Sequence, residues 1–384
     1  MTYGMRTNNS TLLHSACAIV FVLFVFFYLY SFQADLLFMV QHVLSEGTTH
    51  YDTLIGSVVI TLILYLVHVG ARRISDFGDR LYWLTFFPSL LLLTALTGVD
   101  SGFTSIPFDG FWLWLTPLLL GVYVCLSLLF KSMSSGRTAT NDIFVGSLWK
   151  NLLPMACMFI AVCMCSNSNQ TFHYRLRVEK LLSSGSYSAA LQVGKDAYDT
   201  DKSLTMLRIY ALSKSKLLGE ELFEYPLEGG SDALLPDGKD VRCLFYPEER
   251  IVKSLSIRKK GVMKPMGYLA YIERNGLAMR PATDYILCGY LLDKNLDGFV
   301  NEVRRRYNLS SPSLPKHYRE ALTLYTHLRS NPILVFHNEV MDADYADFQK
   351  LVRKYSNAEE RESHVRDSYG GTYWFYYFYH KNKS

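Results

Sequence analysis

Asp293, Asn295 and Asp297, followed by Gly298, stand at the spacing of the first half of an EF-hand calcium loop. Such a loop places oxygen ligands at positions 1, 3 and 5, glycine at 6 and a bidentate glutamate at 12. Val300 supplies the usual apolar residue at position 8, but position 12 is Arg304, a cation where two oxygens and a negative charge are needed. A turn between two helices accounts for more of the same residues. Tyr285, Ile286, Gly289 and Tyr290 make one apolar face, 293–296 turn the chain, and Phe299, Val300, Val303 and Tyr307 make the returning face. Asp297 then lies near a helix start and Arg304, Arg305 and Arg306 near its end, each where the macrodipole favours its charge. The three oxygen-bearing residues are the candidate metal ligands, and the helical turn is the competing reading.

Other chemistry is sparse. His317 and Glu320 sit one helical turn apart with His327 two turns beyond, a spacing that suits either a metal trio or a solvated face. No HExxH, nucleophile elbow, CxxC or phosphate-cradling glycine loop occurs. Neither a catalytic centre nor a cofactor is therefore expected. The stretch "YGGTYWFYYFYHK" gathers Tyr369, Tyr373, Trp374, Tyr376 and Tyr377. These rings form either a binding platform for a carbohydrate or peptide, or an element that closes the fold. Cys243 and Cys288 suit a disulfide in an oxidising compartment or two buried thiols.

The elements around these residues fall into two compositional halves. Residues 1–165 hold seven of the 39 Lys/Arg and eight of the 35 Asp/Glu; residues 166–384 have an ordinary soluble composition with a net charge of +5. That charge is spread out, which argues against nucleic acid as a partner. The first half contains five apolar runs at about 12–30, 54–69, 81–99, 111–130 and 145–165, close to the roughly 20 residues a membrane helix needs. Arg6, then Arg72, Arg73 and Arg80, then Lys131, Arg137 and Lys150 occupy alternate loops, whereas 31–53 and 100–110 have no Lys or Arg. The positive-inside rule then predicts a cytoplasmic N-terminus, five spans and a C-terminal part on the far side. A cleaved signal peptide is the competing reading of the first run. Residues 34–44 read as a short helix lying in the outer interface or continuing the first span.

From 166 onward the apolar residues recur at three- and four-residue steps, as helix faces require. Gly185, Tyr187, Ala190 and Leu191 resemble a degenerate tetratricopeptide repeat, with plain helical hairpins as the alternative. Residues 225–265, rich in Pro, Gly and Asp, read as a loop or short-strand insertion. "LPKHYREALTLY" (Leu314–Tyr325) and "YGGTYWFYYF" (Tyr369–Phe378) resemble an uncharacterised family of bacterial multi-pass inner-membrane proteins with a degenerate tetratricopeptide-like periplasmic domain. That resemblance implies no activity.

The expected architecture is all-α: a five-helix transmembrane bundle over 1–165, then a soluble tetratricopeptide-like helical-hairpin domain over 166–384. The expected role is non-enzymatic. A scaffold anchored in a bacterial inner membrane would use a periplasmic repeat surface to hold an envelope protein, peptide or glycan. The runner-up is an accessory subunit of an envelope transport or glycan-processing complex; a membrane-embedded enzyme would need a polar cluster at the membrane face.

Overall fold

Apolar runs in lipid fold as helices because a helix satisfies every backbone N–H and C=O within its own segment. The computed structural model describes residues 2–49, 51–75, 77–99, 110–133, 144–258 and 260–381; these are helices, turns and coil, with no strand among them. The chain divides into two compact units, Met1–His173 and Tyr174–Ser384.

In the first unit, α1 (Thr2–Phe27) runs on through a π-helical turn, Tyr28–Phe32, to the short α2 (Ala34–Leu44). Helix α3 (Thr53–Ile74) is opened by Asp52, whose carboxylate accepts the Ile55 N–H at 2.9 Å, and carries Arg72 and Arg73 in its last turn. A 3-10 turn, Tyr82–Phe86, leads into α4 (Phe87–Thr97), followed by α5 (Gly110–Met133) and α6 (Phe144–Cys165). Among the described residues, four helices are long and apolar enough to cross a membrane: Ser10–Phe32, Thr53–Ile74, Gly110–Ser132 and Gly146–Cys165.

The expected third span, 81–99, differs from the other four. Its α-helical part rises about 16 Å and its 3-10 part about 10 Å, short of a hydrocarbon core of roughly 30 Å. The cause lies 68 residues away in sequence. The buried Asn151 amide accepts the Trp83 N–H at 2.9 Å and donates to the Asp79 carbonyl at 2.7 Å. These are the two groups an α-helix would join to each other, so Asn151 replaces one helical rung and the helix starts later. Pro88, which has no N–H to give, then stands in the first turn of α4. Helix α4 packs against α3, α5 and α6 and is mostly buried. The four long helices are not: only 17–33 % of each one's most apolar stretch is buried. Ile19, Leu23, Leu62, Leu66, Leu118, Leu126 and Ile160 face outward, an apolar exterior that water would not tolerate.

In the second unit, α7 (Gln170–Ser183) and α8 (Tyr187–Gln192) are joined at Gly185, whose φ of +73° suits glycine. Helix α9 (Lys202–Ser215) begins at Asp201, which caps the Leu204 N–H at 2.6 Å, and it is buried along its whole length from Ser203 to Leu212. After the short α10 (Leu218–Glu221) and α11 (Glu248–Lys253) come α12 (Pro265–Arg274), α13 (Ala282–Leu292), α14 (Leu296–Arg306), α15 (Lys316–Leu328), α16 (Glu339–Lys354), α17 (Ala358–Tyr369) and α18 (Tyr373–Tyr379). Neighbours from α12 to α18 pack in sequence, α18 returns onto α15, and α10 wedges against α13 and α15. The wedge is tight: a Cβ on Gly219 would lie 2.7 Å from the Tyr318 ring.

The 225–265 insertion contains no strand among its described residues. It is coil around a 3-10 turn, Gly230–Leu234, and α11. Its middle is core rather than surface: Ala233, Leu234 and Leu235 are fully buried, with the 3-10 turn packed against α9, α12 and α13.

Candidate functional site

The calcium-like residues diverge into three separate tasks. Asp293 ends α13, and its carboxylate accepts the Ser231 N–H at 2.9 Å. Lys294 turns the chain with φ +57°, while its N–H and that of Asn295 bond back to the carbonyls of Leu291 and Tyr290, a Schellman closure. Asn295, not Asp297, caps α14, accepting the Gly298 N–H at 2.9 Å. Asp297 pairs with Arg329 at 2.6 Å. No group of three His, Cys, Asp or Glu able to hold a metal gathers among the described residues. His317 and Glu320 are buried against each other at 2.8 Å, not on a solvated face, and His327 lies apart from them, stacked on Tyr345.

The aromatic segment faces inward. Tyr373, Trp374 and Tyr376 are buried and Tyr369 and Tyr377 half-buried. The Trp374 indole N–H donates to the Glu320 carbonyl and the Tyr376 hydroxyl to the Leu292 carbonyl, both at 2.8 Å. Trp374 meets Tyr345 with ring centres 5.1 Å apart, and Tyr373 meets Phe223 at 5.0 Å. Lys294 Nζ reaches the His380 carbonyl at 2.7 Å, tying the calcium-like turn to this segment. The rings therefore close the helical stack, and the three buried ones present no face to a ligand.

Several ionisable groups of this unit are buried, and His317, Glu320, Glu179 and the Arg208 terminal nitrogens are engaged by their neighbours. His317 Nε2 accepts the Phe223 N–H at 3.2 Å, so its proton sits on Nδ1 and is given to Glu320 at 2.8 Å. Glu320 also accepts the Tyr373 N–H at 2.7 Å. With both nitrogens engaged, this imidazole is a strut rather than a base. Glu179, fully buried, gathers the backbone N–H groups of Leu244, Phe245 and Tyr246 at 2.8 Å each. Burial raises its carboxyl, with those donors opposing. Arg208, also fully buried, donates to the carbonyls of Gly194 and Pro226 at 2.7 and 3.1 Å; burial lowers its pKa to about 10. Cys243 and Cys288 are both free thiols, and burial pushes each far up. Sequence reading missed Arg208 and Glu179. For Arg208 a signal existed: it stands inside "LTMLRIYAL", a helix apolar on every side.

The first unit holds a polar cluster that sequence reading also missed. Arg72 donates to His14 Nδ1 at 3.0 Å, so His14 Nε2 carries the proton toward Asp79 at 3.2 Å, and Ser10 donates to the same carboxylate at 2.9 Å. His68 gives its Nδ1 proton to the Thr85 carbonyl and accepts from the Tyr82 hydroxyl. The Ser10 proton points at Asp79 instead of a histidine, which is not a nucleophile's arrangement.

Two surfaces of the second unit remain open. A cleft of about 300 Å³ in the insertion is lined by Asp237, Glu248 and Glu249 and by Lys253, Arg258 and Lys260. In the segment after α15, which bends at Ile333 and Leu334, burial alternates from residue to residue. Leu334 and Phe336 pack inward, while Ile333 and Val335 stand 58 % and 55 % exposed, with Val340 at 65 % just beyond.

Residues 265–380, just under a third of the chain, match a family of unknown function (DUF6057). That stretch covers α12 to α18 with both the calcium-like turn and the aromatic segment. No curated protein and no solved structure matches the chain.

Proposed function

We propose that this protein is a membrane-anchored helical-repeat scaffold whose second unit holds an extended segment of another envelope protein. The outward Ile333 and Val335, within the family-matched stretch, carry the reading: their apolar side chains alternate with the inward Leu334 and Phe336, the complement of a peptide rather than of a sugar. The inward turn of Tyr373, Trp374 and Tyr376 favours a peptide over a glycan for the same reason. The consumption of His317, Glu320, Glu179 and Arg208 by internal bonds supports a binding role over catalysis.

In this reading all five apolar segments cross a bacterial inner membrane, with the N-terminus cytoplasmic and the second unit periplasmic, as the alternation of Arg and Lys requires. The third is short, but α4 is surrounded by α3, α5 and α6, so protein rather than lipid absorbs its mismatch. The hairpins of the second unit act as degenerate tetratricopeptide-like repeats.

A photoreactive amino acid at Val335, with the exposed Tyr198 as control, tests the partner in native membranes. Discrete polypeptide adducts at 335 and none at 198 are expected. Equal labelling at both positions, or adducts only with lipid, would overturn it.

A further inference from the structure

Among the described residues of the second unit, Arg175, Arg208 and Arg319 each have an Nε sealed from solvent and without an acceptor. Arg175 engages its terminal nitrogens on the Asp201 carboxylate at 3.4 Å and the Arg242 carbonyl at 2.9 Å, and Arg208 does so on the carbonyls of Gly194 and Pro226. Arg319 differs. Its half-buried side chain forms no hydrogen bond, ion pair or ring contact with any described residue, and its terminal nitrogens open to solvent. A guanidinium cannot shed its charge, so nothing within the chain offsets this desolvation. Arg319 is also the fourth residue of α15, near the positive end of the macrodipole, where a lone cation is disfavoured. The polar residues along the same helix face give no relief. Thr323, one turn on, is fully buried with its own hydroxyl oxygen unbonded. The Thr326 hydroxyl, two turns on, donates to the Leu322 carbonyl and accepts the Phe336 N–H at 3.1 Å.

The Phe336 bond ties the 333–336 segment to the far end of that helix face. Two turns separate Arg319 from Thr326, about 10.5 Å, which an extended chain covers in about three residues. We infer that Arg319 is a carboxylate anchor for the docked partner segment, taking its negative group about three residues from the part that lies on Val335. The planar guanidinium fork matches a carboxylate through two parallel N–H bonds. This rests on the docking reading proposed above and narrows the partner to a segment whose apolar residues adjoin a carboxylate. The donor left open in the free chain is then completed by the partner.

Photocross-linking from position 335 in native membranes, repeated with Arg319→Met and Arg319→Lys, tests the inference. Arg319→Met should cut the adduct yield about tenfold, and Arg319→Lys, which keeps the charge without the fork, should restore part of it. Thermal unfolding of the full chain in detergent separates this role from a structural one. Removing an unbonded buried donor should leave the Arg319→Met midpoint within about 2 °C of the parent or above it. Mass spectrometry of the adduct should find a carboxylate within about five residues of the linked position, as a chain end or as an Asp or Glu side chain. An adduct without one would overturn the inference, and so would a lower Arg319→Met midpoint. If the parent gives no adduct at 335, the docking reading itself fails; adducts that persist undiminished in Arg319→Met sink the anchor alone.

Discussion

Replacing Trp374 separates a closing element from a ligand platform. The ring is 1 % exposed and lies among Tyr345, Phe348 and Tyr369, with its N–H on the Glu320 carbonyl. Truncating such a ring to alanine costs about 3–5 kcal/mol. The lost hydrogen bond adds about 1 kcal/mol, since the Glu320 carbonyl keeps its helical partner. Against a total stability of roughly 5–15 kcal/mol this is a large fraction. At about 2–4 °C per kcal/mol for a unit of this size, Trp374→Ala should melt about 10–20 °C early. Trp374→Phe, which keeps most of the volume, should cost about 2 kcal/mol and shift the midpoint by about 4–8 °C. The assay is thermal unfolding of the full chain in detergent by circular dichroism, with hydrogen exchange across α15 and α18 to localise the loss. If Trp374→Ala melts within about 2 °C of the parent while weakening capture of a partner, the ring faces a ligand and the packing argument fails.

Two further outcomes follow from the same unit. Burial alone would raise the Glu224 carboxyl, but Lys316 at 3.0 Å and Lys195 at 3.2 Å hold it below its ordinary value of 4.5. Because the unfolded chain then takes up the proton first, this stabilisation is complete above that value and is lost as pH falls through the lower, folded-state one. Glu224→Gln should therefore melt earlier than the parent at neutral pH, and the gap should close as the pH falls below 4.5; a gap that stays constant on acidification would refute the assignment. Calcium should leave the melting curve unchanged, since Asp293, Asn295 and Asp297 serve three different partners. A calcium-dependent rise in midpoint that Asp293→Ala removes would restore the metal site.

What could be read from the sequence was whatever depends on local pattern. Apolar length located the four helices long and apolar enough to cross a membrane, and three- and four-residue steps located α9, α13 and α14. What could not be read depends on residues distant in the chain. The break in the third apolar run is made by Asn151 reaching Asp79 and Trp83. Leu234 and Leu235 sit in a Pro- and Gly-rich stretch that looks like surface, yet the groove between α9, α12 and α13 receives them. Glu179 reads as an ordinary helix-surface acid; only the fold of 244–246 supplies its three donors. Asp297 does lie in the first turn of α14, as its charge suggests, but the cap itself is Asn295; both types cap well and only the backbone decides between them.

The first unit is bonded at two levels. At one, Ser10, His14, Arg72, Asp79 and Asn151 meet; at the other, Gln33 donates to Tyr28, Tyr28 to Thr97, and Asn167 to the Val99 carbonyl. Between them the helices touch largely through hydrocarbon, and lipid tails are as good a neighbour for leucine as another leucine is. Apolar contact of that kind scarcely distinguishes one vertical offset from the next. Two separated sets of directional bonds do: sliding α1 by a single residue, about 1.5 Å, would break the Ser10 and His14 bonds at one level and the Tyr28–Thr97 bond at the other. The bundle thus has one permitted alignment, and its sparse polar atoms act as the notches of a vernier.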